Sequence, residues 1–237
     1  ELTLLVTARP VRAGRAEFVP AAEVERRKIE MKLRGVPGDL FLESVPPQDA
    51  MTDVRVAPSV RDGRLGLDVG VEGATRPAYR LRAVVTQNGT KLREFEWEKL
   101  ELRDGRLWAA AAWPDAPRWD VDTPHHLLDV ALVLLDAEGR CLDEFHPVRF
   151  GFRDVRLEGR EILLNGTPIH LRALYVASAN GPAHLADEEA ARRLIARMRE
   201  YGFNSFILAN YDVEPGELGY FDALLAACDQ AGMLLSF

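Results

Sequence analysis

The spacing of apolar residues along the chain changes twice. Residues 1 to about 48 are mixed. ELTLLV reads as a strand, and a polar stretch follows through Arg27. KIEMKL then sets Ile29, Met31 and Leu33 against Glu30 and Lys32, the period of a half-buried strand. Gly35, Pro37 and Gly38 interrupt it, and Asp39-Leu-Phe-Leu-Glu43 resumes it. Three strands cannot bury both of their faces alone, so this segment is expected to belong to a larger sheet.

From about 49 to 151 the alternation is that of strands. Leu65, Leu67, Val69 and Val71 alternate with Gly66, Asp68 and Gly70. Tyr79, Leu81, Ala83 and Val85 alternate with Arg80 and Arg82, and Phe95 and Trp97 with Glu94, Glu96 and Glu98. Leu128, Val130, Leu132 and Leu134 form a last long run. Asp62-Gly63, Asn88-Gly89, Asp104-Gly105 and Glu138-Gly139 punctuate the runs with the residue pairs that tight hairpins demand. About seven short strands in about 100 residues is the count of an immunoglobulin-like sandwich.

After Gly151 the texture becomes strand then helix. His170-Leu-Arg-Ala-Leu-Tyr-Val176 reads as a strand. Asp187 reads as an N-cap, with Glu188 and Glu189 in the first turn, where negative charge suits the helix dipole. Leu194, Ile195, Met198 and Tyr201 follow at helical spacing, and Gly202 stops the helix. Phe203-Asn-Ser-Phe-Ile-Leu208 is the next strand. Phe221, Leu224, Leu225 and Cys228 mark a second helix, and Met233 to Phe237 a third strand. Strands flanked by helices imply a parallel sheet. A closed (β/α)8 barrel needs about 250 residues. Two and a half βα units would leave apolar faces and an open edge, so the chain is expected to continue past Phe237. The first residues carry no basic region, no cleavage signal and no initiator Met, and read as a cut or processed end.

Composition narrows the field. The chain has 237 residues, is 47% hydrophobic and has 14 prolines and 18 glycines, as ordinary globular domains do. A net charge of −7 offers no basic footprint for nucleic acid. No apolar run is long enough to span a bilayer as a helix. Cys141 and Cys228 are too few for a disulfide framework or a zinc site, and both read as thiols packed as small hydrophobes.

Four stretches, in order, resemble glycoside hydrolase family 2, the β-galactosidase, β-glucuronidase and β-mannosidase group. Gly35-Val-Pro-Gly-Asp-Leu-Phe-Leu-Glu43 resembles the closing strand of that family's N-terminal jelly roll. Trp119 with Pro124-His-His-Leu-Leu128, then Phe150-Gly-Phe-Arg153, resembles the last half of its immunoglobulin-like domain. Ile162-Leu-Leu-Asn-Gly-Thr-Pro-Ile-His-Leu-Arg172 resembles the hairpin and first barrel strand. Arg199-Glu-Tyr-Gly-Phe-Asn-Ser205 and Tyr220-Phe-Asp-Ala-Leu-Leu-Ala-Ala-Cys-Asp-Gln-Ala-Gly-Met-Leu235 resemble the end of helix one through strand three. The resemblance implies the end of a jelly roll (1–48), an immunoglobulin-like sandwich (49–151) and the opening of a (β/α)8 barrel (152–237). Arg153 is expected to bridge sandwich and barrel.

The sequence departs from the family at the sugar-facing end. Ala173 stands where the family has glycine, and Ala177 where it has a histidine. Ile207 stands at its arginine and Asn210 at its histidine; Tyr211 survives. Asn210 and Tyr211 are the leading candidates for sugar contact, through an amide that donates and accepts and a ring that stacks on apolar carbons. Tyr175 and Asn180, on the strand-one loop, follow. No catalytic residue is assigned. Retaining hydrolysis needs two carboxyl groups about 5 Å apart, and the family carries them on strands four and seven. Asp120, Asp122, Asp187, Glu188 and Glu189 read as solvated or capping groups. The histidines at 125, 126, 146, 170 and 184 lack metal spacing, and His125-His126 is expected to point to opposite faces of a strand. The implied function is part of a glycoside hydrolase acting on β-linked glycosides by retention, with a carbohydrate substrate, no cofactor and no metal. The alternative is a non-catalytic carbohydrate-binding or structural relative. An oligomer is compatible with either, and no compartment is assigned.

Overall fold

A computed structural model describes residues 44–177, 188–209 and 219–236. The strands expected before Glu43 and the N-cap expected at Asp187 lie outside these. The described chain is mostly β-sheet with two helices and falls into two compact units that divide between His170 and Leu171.

The first unit holds ten strands: β1 (Ala50–Ser59), β2 (Arg64–Glu72), β3 (Ala78–Gln87), β4 (Thr90–Glu101), β5 (Arg106–Ala112), β6 (Leu128–Leu135), β7 (Cys141–Phe150), β8 (Val155–Glu158), β9 (Glu161–Leu164) and β10 (Thr167–Pro168). The first seven form two antiparallel sheets, β1-β2-β5 and β4-β3-β6-β7. One core lies between them. Leu65, Leu67, Val69, Leu107 and Ala109 from the first sheet meet Tyr79, Leu81, Ala83, Val85, Leu128, Val130, Leu132 and Leu134 from the second. These are the apolar members of the alternating runs, so the period of two places them inward. β4 is an edge strand, and Phe95 and Trp97 are half-buried there; the Trp97 indole N–H donates to the Ala110 carbonyl at 2.8 Å.

Asn88-Gly89, Asp104-Gly105 and Asn165-Gly166 each carry positive φ at both positions, the type I′ geometry that matches strand twist. Asn165 also ties the β8-β9-β10 meander to the sandwich. Its backbone N–H donates to the Asp154 carbonyl at 2.8 Å, its Oδ1 accepts from the Asp154 N–H at 3.0 Å, and its Nδ2 donates to the Trp119 carbonyl at 2.9 Å. The Arg153 guanidinium lies over the Trp119 ring, 5.2 Å from its centroid. Its expected role as a bridge between domains stays a sequence-based expectation.

Polar pairing reinforces this unit, among other places, around Asp49 and Arg106. Asp49 is buried at a positive φ of 54° and accepts from the Thr75 N–H (2.8 Å), the Thr75 hydroxyl (2.7 Å), the Tyr79 hydroxyl (2.6 Å) and Arg76. Burial alone would push the Asp49 carboxyl up. The hydrogen bonds from Tyr79 and Thr75 and the Arg76 charge outweigh it and hold the carboxyl below the usual range. Burial pushes the Tyr79 phenol up, and the Asp49 carboxylate it donates to pushes it further. On the outer face of β1-β2-β5, Arg106 forks onto Asp53 at 3.0 and 2.8 Å and also pairs with Asp68.

The second unit holds β11 (Ala173–Ala177), α1 (Glu188–Glu200), β12 (Ser205–Ala209), α2 (Gly219–Ala231) and β13 (Leu234–Ser236). The three strands form one sheet in the order β11-β12-β13, and both pairings are parallel. Ala191, Ile195 and Met198 of α1 pack with Ala223, Leu224, Ala227 and Cys228 of α2 and with Phe206 and Met233. Glu188 and Glu189 open α1 and pair one turn on with Arg192 and Arg193.

Four local expectations are corrected. His125 lies in a turn and His126 directly after it, before β6 begins at Leu128, so the two rings are not on opposite faces of a strand but meet with centroids 4.4 Å apart. Cys141 is exposed at the start of β7, where the turn at Gly139 brings it to the surface; Cys228 is buried as expected. Tyr201 is exposed, since α1 ends at Glu200 and the residue falls past the packed stripe. The strand read from His170 starts only at Ala173, because the Arg172 backbone is bonded to Asn204 instead.

Candidate substrate-facing site

The site the sequence points to is the C-terminal edge of the parallel sheet, and it is built from the N-terminal edge upward. Asn204 is 3% exposed and directly precedes β12. Its side-chain Oδ1 accepts from the Arg172 N–H at 2.8 Å, and its own N–H donates to the Arg172 carbonyl at 3.1 Å. Its carbonyl accepts from the Leu234 N–H at 2.9 Å. One residue thus sets the starting heights of all three strands. The Arg172 side chain reinforces it, with Nε donating to the Gly202 carbonyl at 2.5 Å.

That clamp fixes the register. Ala173 pairs with Ser205, Leu174 with Phe206, Tyr175 with Ile207, and Ala177 with Ala209. Side chains alternate across a strand, so the row of Leu174 and Phe206 faces the opposite way from the row of Tyr175 and Ile207. Phe206 packs among the helices. Tyr175 and Ile207 therefore share the other face, where they are 57% and 37% exposed. Ala173, at the family's glycine position, opens β11; Ala177, at its histidine position, closes it.

Tyr175 is thus placed on the candidate face, in register with Ile207. Asn180, Asn210 and Tyr211 follow the last residues of β11 and β12 and lie outside the described residues. Chemically, this row offers the Tyr175 phenol, an isoleucine that can neither donate nor accept, and the exposed Ser236 hydroxyl in register with Ile207. The residues of these three strands include no carboxyl group, so they hold no acid/base pair. Among the described residues no cluster of His, Cys, Asp or Glu suits a metal ion. Asn204 was not singled out in the sequence. Its signal is a lone polar residue wedged between a helix stop and a buried apolar run.

No family model matches the chain. The β-galactosidase of Vibrio vulnificus strain YJ016 is 27% identical over 218 residues, covering 85% of this chain and 20% of its own length. The β-galactosidase of Photobacterium profundum is 26% identical over 213 residues, with the same coverage. The chain therefore spans about a fifth of the length of the curated relatives it matches. Among solved structures, Parabacteroides merdae β-glucuronidase superposes with a TM-score of 0.57 at 19% identity, covering 78% of this chain and 23% of that one, a likeness of fold. The resemblance to glycoside hydrolase family 2 read from the sequence thus holds over most of the chain, which is similar to a part of these larger glycosidases.

Proposed function

We propose that the chain is a segment of a retaining glycoside hydrolase acting on β-linked glycosides. It would supply the end of a jelly roll (1–48), an immunoglobulin-like sandwich (49–151) and the first βα units of a (β/α)8 barrel (152–237). The observation that carries this reading is the parallel register of β11 with β12, which brings Ala177 and Ala209 side by side at one edge. In such barrels the loops leaving that edge form the active site. The sheet-forming order of the sandwich, β1-β2-β5 facing β4-β3-β6-β7, supports it. The likeness to β-galactosidases over 85% of the chain supports it independently.

In this reading Tyr175, Asn180, Asn210 and Tyr211 line the pocket wall. Tyr175 and Tyr211 offer ring faces, and the two amides offer hydrogen bonds to hydroxyls. The chain itself contributes no catalytic residue; the acid/base and nucleophile carboxyls would come from later strands. The 237-residue chain is accordingly inactive by itself. No cofactor or metal is required for this chemistry.

A specific residue favours a second reading. Ile207 occupies the position where the family carries arginine, and it is exposed beside Tyr175. Loss of that charge fits a non-catalytic carbohydrate-binding or structural relative of the same architecture. The sequence following Phe237 separates the two. An Asn-Glu pair ending strand four and a Glu ending strand seven, with turnover of an aryl β-glycoside, support the enzyme. Absence of either carboxylate supports the binding relative.

A further inference from the structure

The outer face of the β1-β2-β5 sheet is unlike the other surfaces of the sandwich. Its rows follow from the antiparallel register: Arg55, Asp68 and Trp108 in one, Ala57, Gly66 and Ala110 in the next, and Gly70 with Arg106 in the third. Trp108 is 61% exposed in the middle of a regular strand. Its own row holds Arg55 and Asp68, and the rows on either side are mostly small residues. Glycine at 66 and 70 and alanine at 57 and 110 leave the floor low, and one large ring rises from it.

Beside the ring lies a fixed polar lattice. Arg106, two residues from Trp108 on the same face, is locked between two carboxylates. Its Nη1 and Nη2 donate to Asp53 at 3.0 and 2.8 Å, its Nε donates to Asp68, and Nη2 also reaches the Asp68 carbonyl at 3.4 Å. These bonds use four of the five N–H groups of a guanidinium among the described residues. Gly70 makes this possible: a Cβ there would sit 2.3 Å from Asp53 Oδ1 and 2.7 Å from Thr52 Oγ1. Asp68 is buried beneath the pair, while the Asp53 side chain is 44% exposed and also pairs with Arg55, whose Nε lies 3.5 Å from Oδ2 and whose side chain is 74% exposed.

From this arrangement we infer that the outer face of β1-β2-β5 is a carbohydrate-binding platform, with Trp108 stacking on a pyranose ring and the exposed Arg55–Asp53 pair, held in place by Arg106, bonding its hydroxyls. The ligand class follows from the chemistry. A β-linked pyranose has an apolar face of C–H groups and a rim of hydroxyls that both donate and accept. An exposed indole beside an ordered acceptor and donor complements both. A protein partner fits poorly, since a stable interface covers about 800 Å² per side around a core of several apolar or aromatic groups, and this face offers one. Nucleic acid fits no better against two carboxylates in a chain of net charge −7. The platform belongs to the first unit alone and does not depend on the barrel reading.

Affinity electrophoresis of the 237-residue chain tests it, in native gels containing soluble β-glucan, xyloglucan, galactan or galactomannan. The wild-type chain is expected to be retarded by at least one of them. Trp108→Ala is expected to bind at least about tenfold more weakly, and Asp53→Asn to be weakened to a lesser degree. Trp108 is exposed, so an unchanged thermal unfolding curve for Trp108→Ala separates lost binding from lost fold. Free migration of the wild-type chain in all four gels overturns the inference, as does equal retardation of wild type and Trp108→Ala. Concentration-dependent self-association in sedimentation that disappears in Trp108→Ala also overturns it, by assigning the face to a second copy of the chain.

Discussion

Asn204 and Arg172 hold each other reciprocally: the Asn204 amide oxygen accepts from the Arg172 N–H at 2.8 Å, and the Arg172 carbonyl accepts from the Asn204 N–H at 3.1 Å. The first bond uses a buried side chain to satisfy a backbone donor that the ladder leaves open. Asn204→Ala orphans that donor, at a cost of about 1–3 kcal/mol. Hydrogen exchange checks this residue by residue. The Arg172 and Phe206 amides are expected to exchange about tenfold faster or more, while the Leu81 and Leu132 amides of the sandwich keep their wild-type rates. Unchanged exchange at Arg172 contradicts the clamp.

The Asp49 carboxyl is held below its usual range, and the sign of its contribution follows. A depressed carboxylate stabilises the fold fully above its unfolded value of about 3.9, and the stabilisation is lost as pH falls through the folded value. The sandwich is therefore expected to lose stability below about pH 4. Asn at 49 tolerates the positive φ but cannot pair with Arg76 as a charge. Asp49→Asn is expected to cost about 1–3 kcal/mol at pH 7 and to flatten the acid limb. It will not abolish that limb, because Asp53, held down first by its bond from Arg106, follows the same sign. Urea unfolding at pH 7, 4 and 2.5 measures all three quantities. An acid limb of equal slope in wild type and variant would sink the assignment.

Gly70 lies against the ends of three side chains, and a Cβ there displaces them. An alanine methyl there meets Asp53 Oδ1 at 2.3 Å and Thr52 Oγ1 at 2.7 Å, so the Asp53 carboxylate must shift within the Arg106 fork. Gly70→Ala is expected to destabilise the sandwich by about 1–3 kcal/mol. The urea midpoint should fall with the slope unchanged. A midpoint equal to that of wild type shows that the fork yields freely.

Much of this fold is legible in the sequence because burial has a simple period. Each apolar member of the runs in β2, β3 and β6 is buried, and the hairpins at Asn88, Asp104 and Asn165 fall at the expected pairs. What escaped has a physical reason. Asp49, Arg106 and Asn204 act through partners 26 to 53 residues away, and no local period encodes such distances. Tyr201 matched helical spacing, but the helix had already ended. Trp108 sat on the polar face of an alternating strand, where a single large residue leaves no trace in a pattern. Of the candidate sugar contacts, Tyr175 could be located by register with Ile207; Asn180, Asn210 and Tyr211 fall in segments following the strands, beyond the described residues.

The proposed function is tested most directly by measuring release of the aryl group from β-linked aryl galactosides and glucuronides. The 237-residue chain should be compared with a longer chain that includes the sequence following Phe237. The longer chain is expected to turn over at least one of these substrates with retention at the anomeric carbon, and the 237-residue chain to release nothing above background. Turnover by the 237-residue chain, or none by a folded longer chain, contradicts the account.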